Sequence, residues 1–279
     1  MDGFFLLNKE KGVSSNFVVQ GIKKKFNFKK VGHLGTLDPM ATGLLIIAVN
    51  KATKFSSYFL NEIKAYSAEV TLGGSTDTDD AEGDFLYQKD INLSSKKVLT
   101  SLNSFLGDSL QQPPSYSALK HKGKPLYKYA REGKIIVKPP REITIFSIEN
   151  TNFKTPLLSF DITCSKGTYI RAIARDIGEL LGCGGYLSKL ERIEQGCFSI
   201  KSAKCIDKIS KDHIITIKEA FPNLDSLSLN REETKIYTNG GIVTSLYGKK
   251  KIFKIFSDIN QFIGLGEVGD KGLKLKQLV

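Results

Sequence analysis

The sequence predicts an α+β fold, with a mixed, mainly antiparallel sheet in a large N-terminal domain and a small all-β domain at the C-terminus. Predicted strands are neighbours along the chain and helices are isolated, without the regular alternation of a doubly wound parallel sheet. After Pro222 the pattern changes to short apolar runs separated by glycines, without a helical period. We therefore predict two domains, residues 1–224 and 225–279, with the β-rich segment starting at about Leu227.

In the first third of the chain, apolar runs and turn residues define the elements. An amphipathic helix is predicted after Ser14 and Ser15, because apolar residues recur at helical spacing behind this plausible N-cap. Short apolar or alternating runs predict strands over 4–7, 43–49 and 65–72. Glycine, proline, threonine and acidic residues predict loops over 32–42 and 73–83.

Further along the chain, two more amphipathic patterns predict helices. The first, over 94–106, begins with a serine, and the second, over 170–181, ends before Gly182. Strands are predicted between them, over 135–148 and 158–163. No internal repeat or low-complexity tract accompanies these elements.

The charge balance favours a polyanionic partner. Lysine and arginine total 41 against 29 aspartate and glutamate residues, which gives a formal charge of +12 and a pI of about 9.3. Half of that charge lies in the segment 114–142, which carries a net +6 and three tyrosines. Such a basic segment (residues 114–142 throughout) indicates RNA binding or an ordinary solvated, lysine-rich hairpin. The candidate RNA-binding residues are Lys120, Lys122, Lys124, Lys128, Arg131 and Arg141.

Several classes of site lack their sequence pattern. The four cysteines form no C-x-x-C pair and are not spaced with the three histidines as zinc ligands, so no metal is expected. Scattered free thiols suit a reducing cytoplasm, and the longest apolar run, 44–49, is too short to span a bilayer. The glycines of 264–269 lie too near the end for a dinucleotide-binding unit, and 77–84 lacks calcium-loop spacing. We expect a soluble, cytoplasmic protein.

The segment 32–45 is the strongest candidate for chemistry. It contains Asp38-Pro39 among glycines that let the backbone approach a ligand, although an isolated Asp-Pro is more often a turn. Its fourteen residues closely resemble the nucleophile motif of the TruB family of tRNA pseudouridine synthases. Further resemblances follow in the family's order, over 64–68, 72–79, 112–120, 164–171, 176–178 and 186–198.

The resemblance implies the fold, the reaction and the site. It implies a catalytic domain of pseudouridine-synthase type, a PUA-like C-terminal domain, and isomerisation of uridine 55 in the T-arm stem-loop of tRNA without a cofactor. Asp38 would be the catalytic carboxylate, kept ionised by Arg171. Tyr66 would stack on the uracil and transfer a proton at C5. The remaining substrate-binding residues would be His33, Tyr169 and Leu190.

Some points stay open in the sequence. Family members have Lys-Pro where this chain has Lys9-Glu10, which leaves the geometry of that first turn undecided. Asp38 could attack the ribose, add to the base, or remove a ribose proton. The alternatives are a noncatalytic RNA-binding or RNA-folding protein, a pseudouridine synthase acting on another RNA, and a glycosidase, which normally needs two carboxylates. No obligatory protein partner is expected, and nothing in the sequence demands more than a monomer.

Overall fold

The computed structural model describes residues 1–279 and contains six α-helices and 18 strands. Three short 3₁₀-helices, Asn50–Phe55, Ile200–Ser202 and Lys211–His213, complete the secondary structure. In chain order the elements are β1 Gly3–Lys9, α1 Ser15–Phe26, β2 Val31–His33, β3 Thr42–Val49, α2 Ser56–Leu60, β4 Lys64–Leu72, β5 Gly74–Thr76, β6 Phe85–Gln88, α3 Ser95–Asn103, β7 Gly107–Gln111, β8 Lys120–His121, β9 Lys124–Pro125, α4 Leu126–Ala130, β10 Arg141–Lys154, β11 Leu157–Cys164, α5 Ile170–Leu180, β12 Gly185–Gln195, β13 Phe198–Ser199, β14 Ile215–Thr216, β15 Ser226–Ser228, α6 Arg231–Thr238, β16 Lys251–Phe256, β17 Phe262–Gly269 and β18 Gly272–Leu278.

The main sheet has the strand order β14-β1-β3-β12-β4-β11-β10-β7, with β2 beside β3 and β13 beside β12. Every pairing in it is antiparallel except that of β12 with β3, where Arg192 lies opposite Gly43. The predicted mixed, mainly antiparallel sheet is therefore confirmed. The parallel pairing brings the middle of β12 against the start of β3, immediately after the loop that carries Asp38.

Strands β1 and β3 are buried on both faces, which explains their continuous apolar runs. On β3, Leu45, Ile47 and Val49 join the core beneath α1 and α5, whereas Leu44 and Ile46 join a second core on the opposite face. The larger core holds 33 buried residues. A rigid, close-packed sheet therefore supports the loops at its end.

The predicted helices are confirmed, and their caps follow the sequence. The side chains of Ser14 and Ser94 accept hydrogen bonds from the backbone N–H of Phe17 and Lys97, at the first turns of α1 and α3. The strand predicted over 135–148 was wrong at its start, since β10 begins at Arg141. Pro139 and Pro140 precede it, and proline has no N–H to donate to a strand ladder. The predicted loop over 73–83 also contains β5, which pairs with β6.

The C-terminal segment forms a four-stranded sheet in the order β15-β16-β17-β18, which agrees with the β-rich segment predicted there. The expectation that it has no helical period was wrong, because α6 lies between β15 and β16. A capping box of Asn230 and Glu233 begins this helix, and the buried Tyr237 hydroxyl donates to the Leu265 carbonyl (2.7 Å). Leu265 also belongs to the second core of the main sheet, so the two sheets pack together.

No helix is both long and apolar enough to cross a membrane.

Candidate active site

The loop between β2 and β3 holds Asp38 at the end of the main sheet. Its backbone is fixed at several points: Leu37 exchanges two hydrogen bonds with the Ser15 side chain (both 2.8 Å), and the Pro39 carbonyl accepts from the Gly12 N–H (2.8 Å) and Lys9 Nζ (3.2 Å). The flanking Leu37 and Met40 are buried in the main core. The Leu37 and Met40 side chains on either side of Asp38 point into the core. The Asp38 carboxylate is therefore directed outward, with about a third of its side chain exposed (35%).

Asp38 lies in a cleft of about 880 Å³. His33, at the end of β2, and Arg171, in the first turn of α5, line the same cleft. The loop 77–84 lines it with acidic side chains, namely Asp77, Asp80, Glu82 and Asp84. The basic segment contributes Tyr116, Lys120, Tyr127 and Arg131. The cleft is therefore acidic along one wall and basic along another.

Arg171 connects these walls and is almost fully buried (5% exposed). Its Nε lies 2.9 Å from Asp38 Oδ2 and its Nη1 lies 3.4 Å from Asp80 Oδ2. Nη1 and Nη2 also donate to the carbonyls of Thr78 (2.9 Å) and Tyr116 (2.7 Å). The Nε–H bond is not aimed closely enough at Asp38 for a hydrogen bond, so that contact is an ion pair. The structure thus places Arg171 against Asp38, where the resemblance implied it.

A second ion pair fixes the acidic loop. Arg175 on α5 donates to Asp79 Oδ2 (3.1 Å) and to the Gln112 carbonyl (3.0 Å), which joins the loop to the residues just before the basic segment. Burial raises the pKa of the Asp79 carboxyl from 3.8 to about 6, although Arg175 and Arg171 oppose the shift. Asp79 therefore stabilises the loop at the cost of burying a carboxylate.

This buried carboxyl predicts a pH dependence of stability. Between about pH 4 and pH 6 the folded protein holds a proton on Asp79 that the unfolded chain has lost, so the free energy of unfolding falls as pH rises, by at most about 3 kcal/mol. In Asp79→Asn, which cannot titrate there, we expect this part of the slope to disappear in urea denaturation. The exposed Asp84→Asn variant is the control and should keep it. An unchanged slope in Asp79→Asn would contradict the assignment.

Tyr66 and Leu190 lie beneath the cleft and do not line it. Tyr66 is 7% exposed on β4 and Leu190 is 9% exposed on β12, and both belong to the main core with Leu37 and Met40. Burial raises the pKa of the Tyr66 phenol, whereas Arg192, directly opposite on β12, lowers it. Any contact of these two side chains with a substrate must therefore come through the floor of the cleft.

His33 and Tyr169 occupy different positions. The pKa of the His33 imidazole is lowered by burial and by Arg192, and its Nδ1 is buried without a hydrogen-bond partner. Tyr169 precedes α5 and is held by Gln111, which bonds both its N–H (2.8 Å) and its carbonyl (3.1 Å). Its ring lies under the Arg141 guanidinium, 4.4 Å from the ring centroid, outside the cleft lining.

The basic segment folds as the β8–β9 hairpin followed by α4. Of the candidate RNA-binding residues, Lys120 and Arg131 line the cleft. Lys124 pairs with Glu132 and lies over the Tyr129 ring, and Arg141 donates to the Gly167 carbonyl. The remaining two, Lys122 at the hairpin turn and Lys128 on α4, also lie outside the cleft lining.

Sequence patterns did not identify several residues of the site. The sequence places Asp80 only in the segment 77–84, which lacks calcium-loop spacing, and Ser15 only beside Ser14 at the start of the first helix. Glu10, which replaces the proline of the family, is exposed, and the turn still closes through the Gly12 N–H and the Pro39 carbonyl. Among the described side chains, no group of three His, Cys, Asp or Glu converges as a set of metal ligands.

The backbone is similar to chains of solved H/ACA ribonucleoproteins. A chain in an H/ACA ribonucleoprotein bound to a substrate RNA containing 2'-deoxyuridine matches with a TM-score of 0.73 and 21% identity, over 99% of this chain and 84% of that chain. A chain of an archaeal box H/ACA complex matches with a TM-score of 0.71 and 20% identity, over 99% and 85%. At 20–21% sequence identity, this structural similarity is evidence for a shared fold alone.

Comparison of the sequence with known families identifies the class of protein as a pseudouridine synthase. The family model described as "TruB family pseudouridylate synthase (N terminal domain)" matches residues 23–170, which include Asp38 and Tyr66. The protein named tRNA pseudouridine synthase B from Clostridium novyi is 40% identical to this chain over the whole length of both chains. The protein of the same name from Francisella philomiragia is 42% identical over 98% of this chain and 92% of the relative. The chain therefore belongs to the TruB family of pseudouridylate synthases, and the resemblance found in the sequence is confirmed.

Proposed function

We propose that this chain isomerises uridine 55 in the T-loop of tRNA to pseudouridine, with Asp38 as the catalytic carboxylate and no cofactor. The observation that carries the proposal is the ion pair of Asp38 with the buried Arg171 at the base of a cleft bordered by the basic segment. The relatives from Clostridium novyi and Francisella philomiragia, which bear the name tRNA pseudouridine synthase B, support the choice of tRNA.

The reaction breaks the bond between the ribose and N1, turns the uracil, and rejoins it through C5. Atoms and charge balance within the nucleotide, since C5 loses one proton and N1 gains one. A carboxylate that assists departure of the base suffices for the first step. Asp38 is suited to it because Arg171 stabilises its charge and a third of the side chain faces the cleft. Tyr66, beneath the floor, serves in proton transfer at C5.

The two walls of the cleft orient the RNA. Phosphates are repelled by Asp77, Asp80, Glu82 and Asp84 and attracted by Lys120 and Arg131. The RNA backbone therefore follows the basic segment, and the neutral uracil, extruded from its loop, enters towards Asp38. His33 occupies the space that the nucleotide leaves, Tyr169 brackets the nucleotide, and Leu190 forms an apolar wall of its pocket. The segment 225–279 acts as a second RNA-binding domain beside the catalytic domain, 1–224.

The enzyme works on tRNA in the cytoplasm as a monomer, without an obligatory protein partner. A noncatalytic RNA-folding protein would need the basic wall of the cleft but not the ion pair of Asp38 with Arg171.

The proposal is tested with the purified protein and a T-arm stem-loop transcript. We expect one pseudouridine per RNA at position 55, and none in a matched transcript with cytidine at that position. Mapping pseudouridines in total RNA from cells with and without the gene extends the test to other RNAs. Modification elsewhere in the stem-loop, or loss of sites only in other RNAs on deletion of the gene, would overturn the assignment of uridine 55.

The basic wall makes a separate prediction about binding. We expect the double variant Lys120→Gln, Arg131→Gln to bind the stem-loop more weakly and to lower the slope of log affinity against log salt by about one for each phosphate that is no longer neutralised. The rate at saturating RNA should change little. The control is Lys96→Gln, Lys97→Gln, which removes the same charge from the exposed face of α3. Equal salt slopes in the two double variants would argue against phosphate binding by Lys120 and Arg131.

A further inference from the structure

Arg192 on β12 is a buried cation without a carboxylate partner. It is the largest side chain among those that are completely buried, with 1% of its surface exposed, and it takes part in no salt bridge. Burial lowers the pKa of its guanidinium, which reflects the unfavourable desolvation of its charge. Burial of an unpaired charge is costly, so its position calls for a functional explanation.

The hydrogen bonds of Arg192 reach the polypeptide on both sides of Asp38. Its Nη2 donates to the Gly35 carbonyl (3.0 Å), three residues before Asp38, and its Nε donates to the Leu44 carbonyl (2.8 Å), six residues after it. Gly43 lies opposite Arg192 in the parallel pairing, and a Cβ there would lie 2.5 Å from the Arg192 carbonyl oxygen. The Asp38 loop is thus fitted closely around this arginine.

The same guanidinium faces the phenol of Tyr66. The two residues are directly opposite each other on the antiparallel strands β12 and β4, so their side chains share one face of the sheet. The cation Arg192 acts on the Tyr66 phenol together with Cys164 and Asp38. Arg192 therefore favours the phenolate form of Tyr66, whereas burial, Cys164 and Asp38 disfavour it.

We propose that Arg192 is a positioning residue for the isomerisation, which fixes the Asp38 loop from both sides and holds the Tyr66 oxygen beneath the cleft as the acceptor of the C5 proton. The inference rests on the proposed function. When the new bond to C5 has formed, the C5–H electron pair returns to the pyrimidine ring and the proton passes to the Tyr66 oxygen. Tyr66 releases its phenol proton before this step and regains one from C5, while N1 takes up one proton, so neither the protein nor the nucleotide gains or loses a proton overall. Arg192 stabilises the negative oxygen that accepts the proton.

The first test measures Tyr66 in the RNA-free protein. Fluorotyrosine is incorporated, and the Tyr66 signal is assigned by its loss in Tyr66→Phe and followed by fluorine NMR against pH. We expect the pKa of Tyr66 to be lowest in the wild type, higher in Arg192→Lys and highest in Arg192→Met. The matched control is Gln195→Leu, which removes buried hydrogen bonds to the Leu34 and Phe59 carbonyls without a change of charge. It should leave the Tyr66 titration as in the wild type.

The second test measures single-turnover rates at saturating stem-loop RNA. We expect Arg192→Met to slow pseudouridine formation by at least about 10-fold with RNA affinity unchanged, and to have a clearly smaller effect in a Tyr66→Phe background. Arg192→Lys should lie between and suffices alone if Arg192→Met does not fold. An unchanged Tyr66 titration in both Arg192 variants, or an equal fold-loss with and without Tyr66, would overturn the inference. Activity retained in Asp38→Asn would instead refute the proposed function.

Discussion

Replacement of Asp38 by asparagine is expected to abolish pseudouridine formation, with a loss on the order of 1,000-fold or more in the single-turnover rate. Asparagine keeps the size of the side chain but has no charge and cannot act as a nucleophile or a base. The reason for so large an effect is geometric. Among the cleft carboxylates that pair with Arg171, Asp38 is the exposed one, since Asp80 is only 6% exposed.

RNA binding should survive the same substitution. Asp38→Asn removes a negative charge from the cleft, so its affinity for the stem-loop should be equal to or higher than that of the wild type. Asp84→Asn is the matched control, because it removes another carboxylate from the cleft lining but leaves Asp38 and Arg171 in place. We expect that variant to react at close to the wild-type rate. Pseudouridine formed by Asp38→Asn at a rate near that of the control would refute the assignment of the catalytic residue.

Local patterns in the sequence predicted the elements that local chemistry determines. Ser94 has the N-cap role that the sequence suggested, Ser14 is the N-cap among the two serines predicted to precede α1, and the apolar run of β3 is a strand buried on both faces. Helix α6 was missed because Tyr237 is its one buried residue, so its apolar period is too weak to detect. The capping box of Asn230 and Glu233 was the signal that could have located it.

The residues that surround Asp38 could be predicted from the sequence only in part. The contact of Asp38 with Arg171 was expected from the family resemblance, and the structure contains it. The role of Arg192 was not, because its bonds to Leu44 and Gly35 join residues 148 and 157 positions apart. Such contacts depend on which strands become neighbours in the sheet, and here on the single parallel pairing of β12 with β3.

Arg171 contacts both the acidic wall and the basic wall of the cleft. The acidic loop 77–84 and the basic segment both contact Arg171 through backbone carbonyls, those of Thr78 and Tyr116. One buried side chain therefore ties the acidic wall, the basic wall and Asp38 to α5. Any change at Arg171 should affect the catalytic carboxylate and both walls together.

Replacement of Arg171 by methionine is expected to have the second-largest effect, on both stability and catalysis. It leaves Asp80 buried without its cation and removes the donors to Thr78 and Tyr116. Removal of one partner from a buried ion pair destabilises a protein by about 3–5 kcal/mol. Urea denaturation measures that destabilisation, and single-turnover assays should show a rate lower by at least about 100-fold.

A double variant separates the two effects of Arg171. Asp80→Asn added to Arg171→Met removes the uncompensated buried charge, so a large part of the lost free energy of unfolding should return. Activity should not return with it, because Asp38 still lacks the guanidinium 2.9 Å from its oxygen. Arg171→Lys, which keeps a cation but cannot reach both carboxylates and both carbonyls, should be intermediate. If the double variant regained activity in proportion to stability, Arg171 would act only through the fold and not on the charge of Asp38.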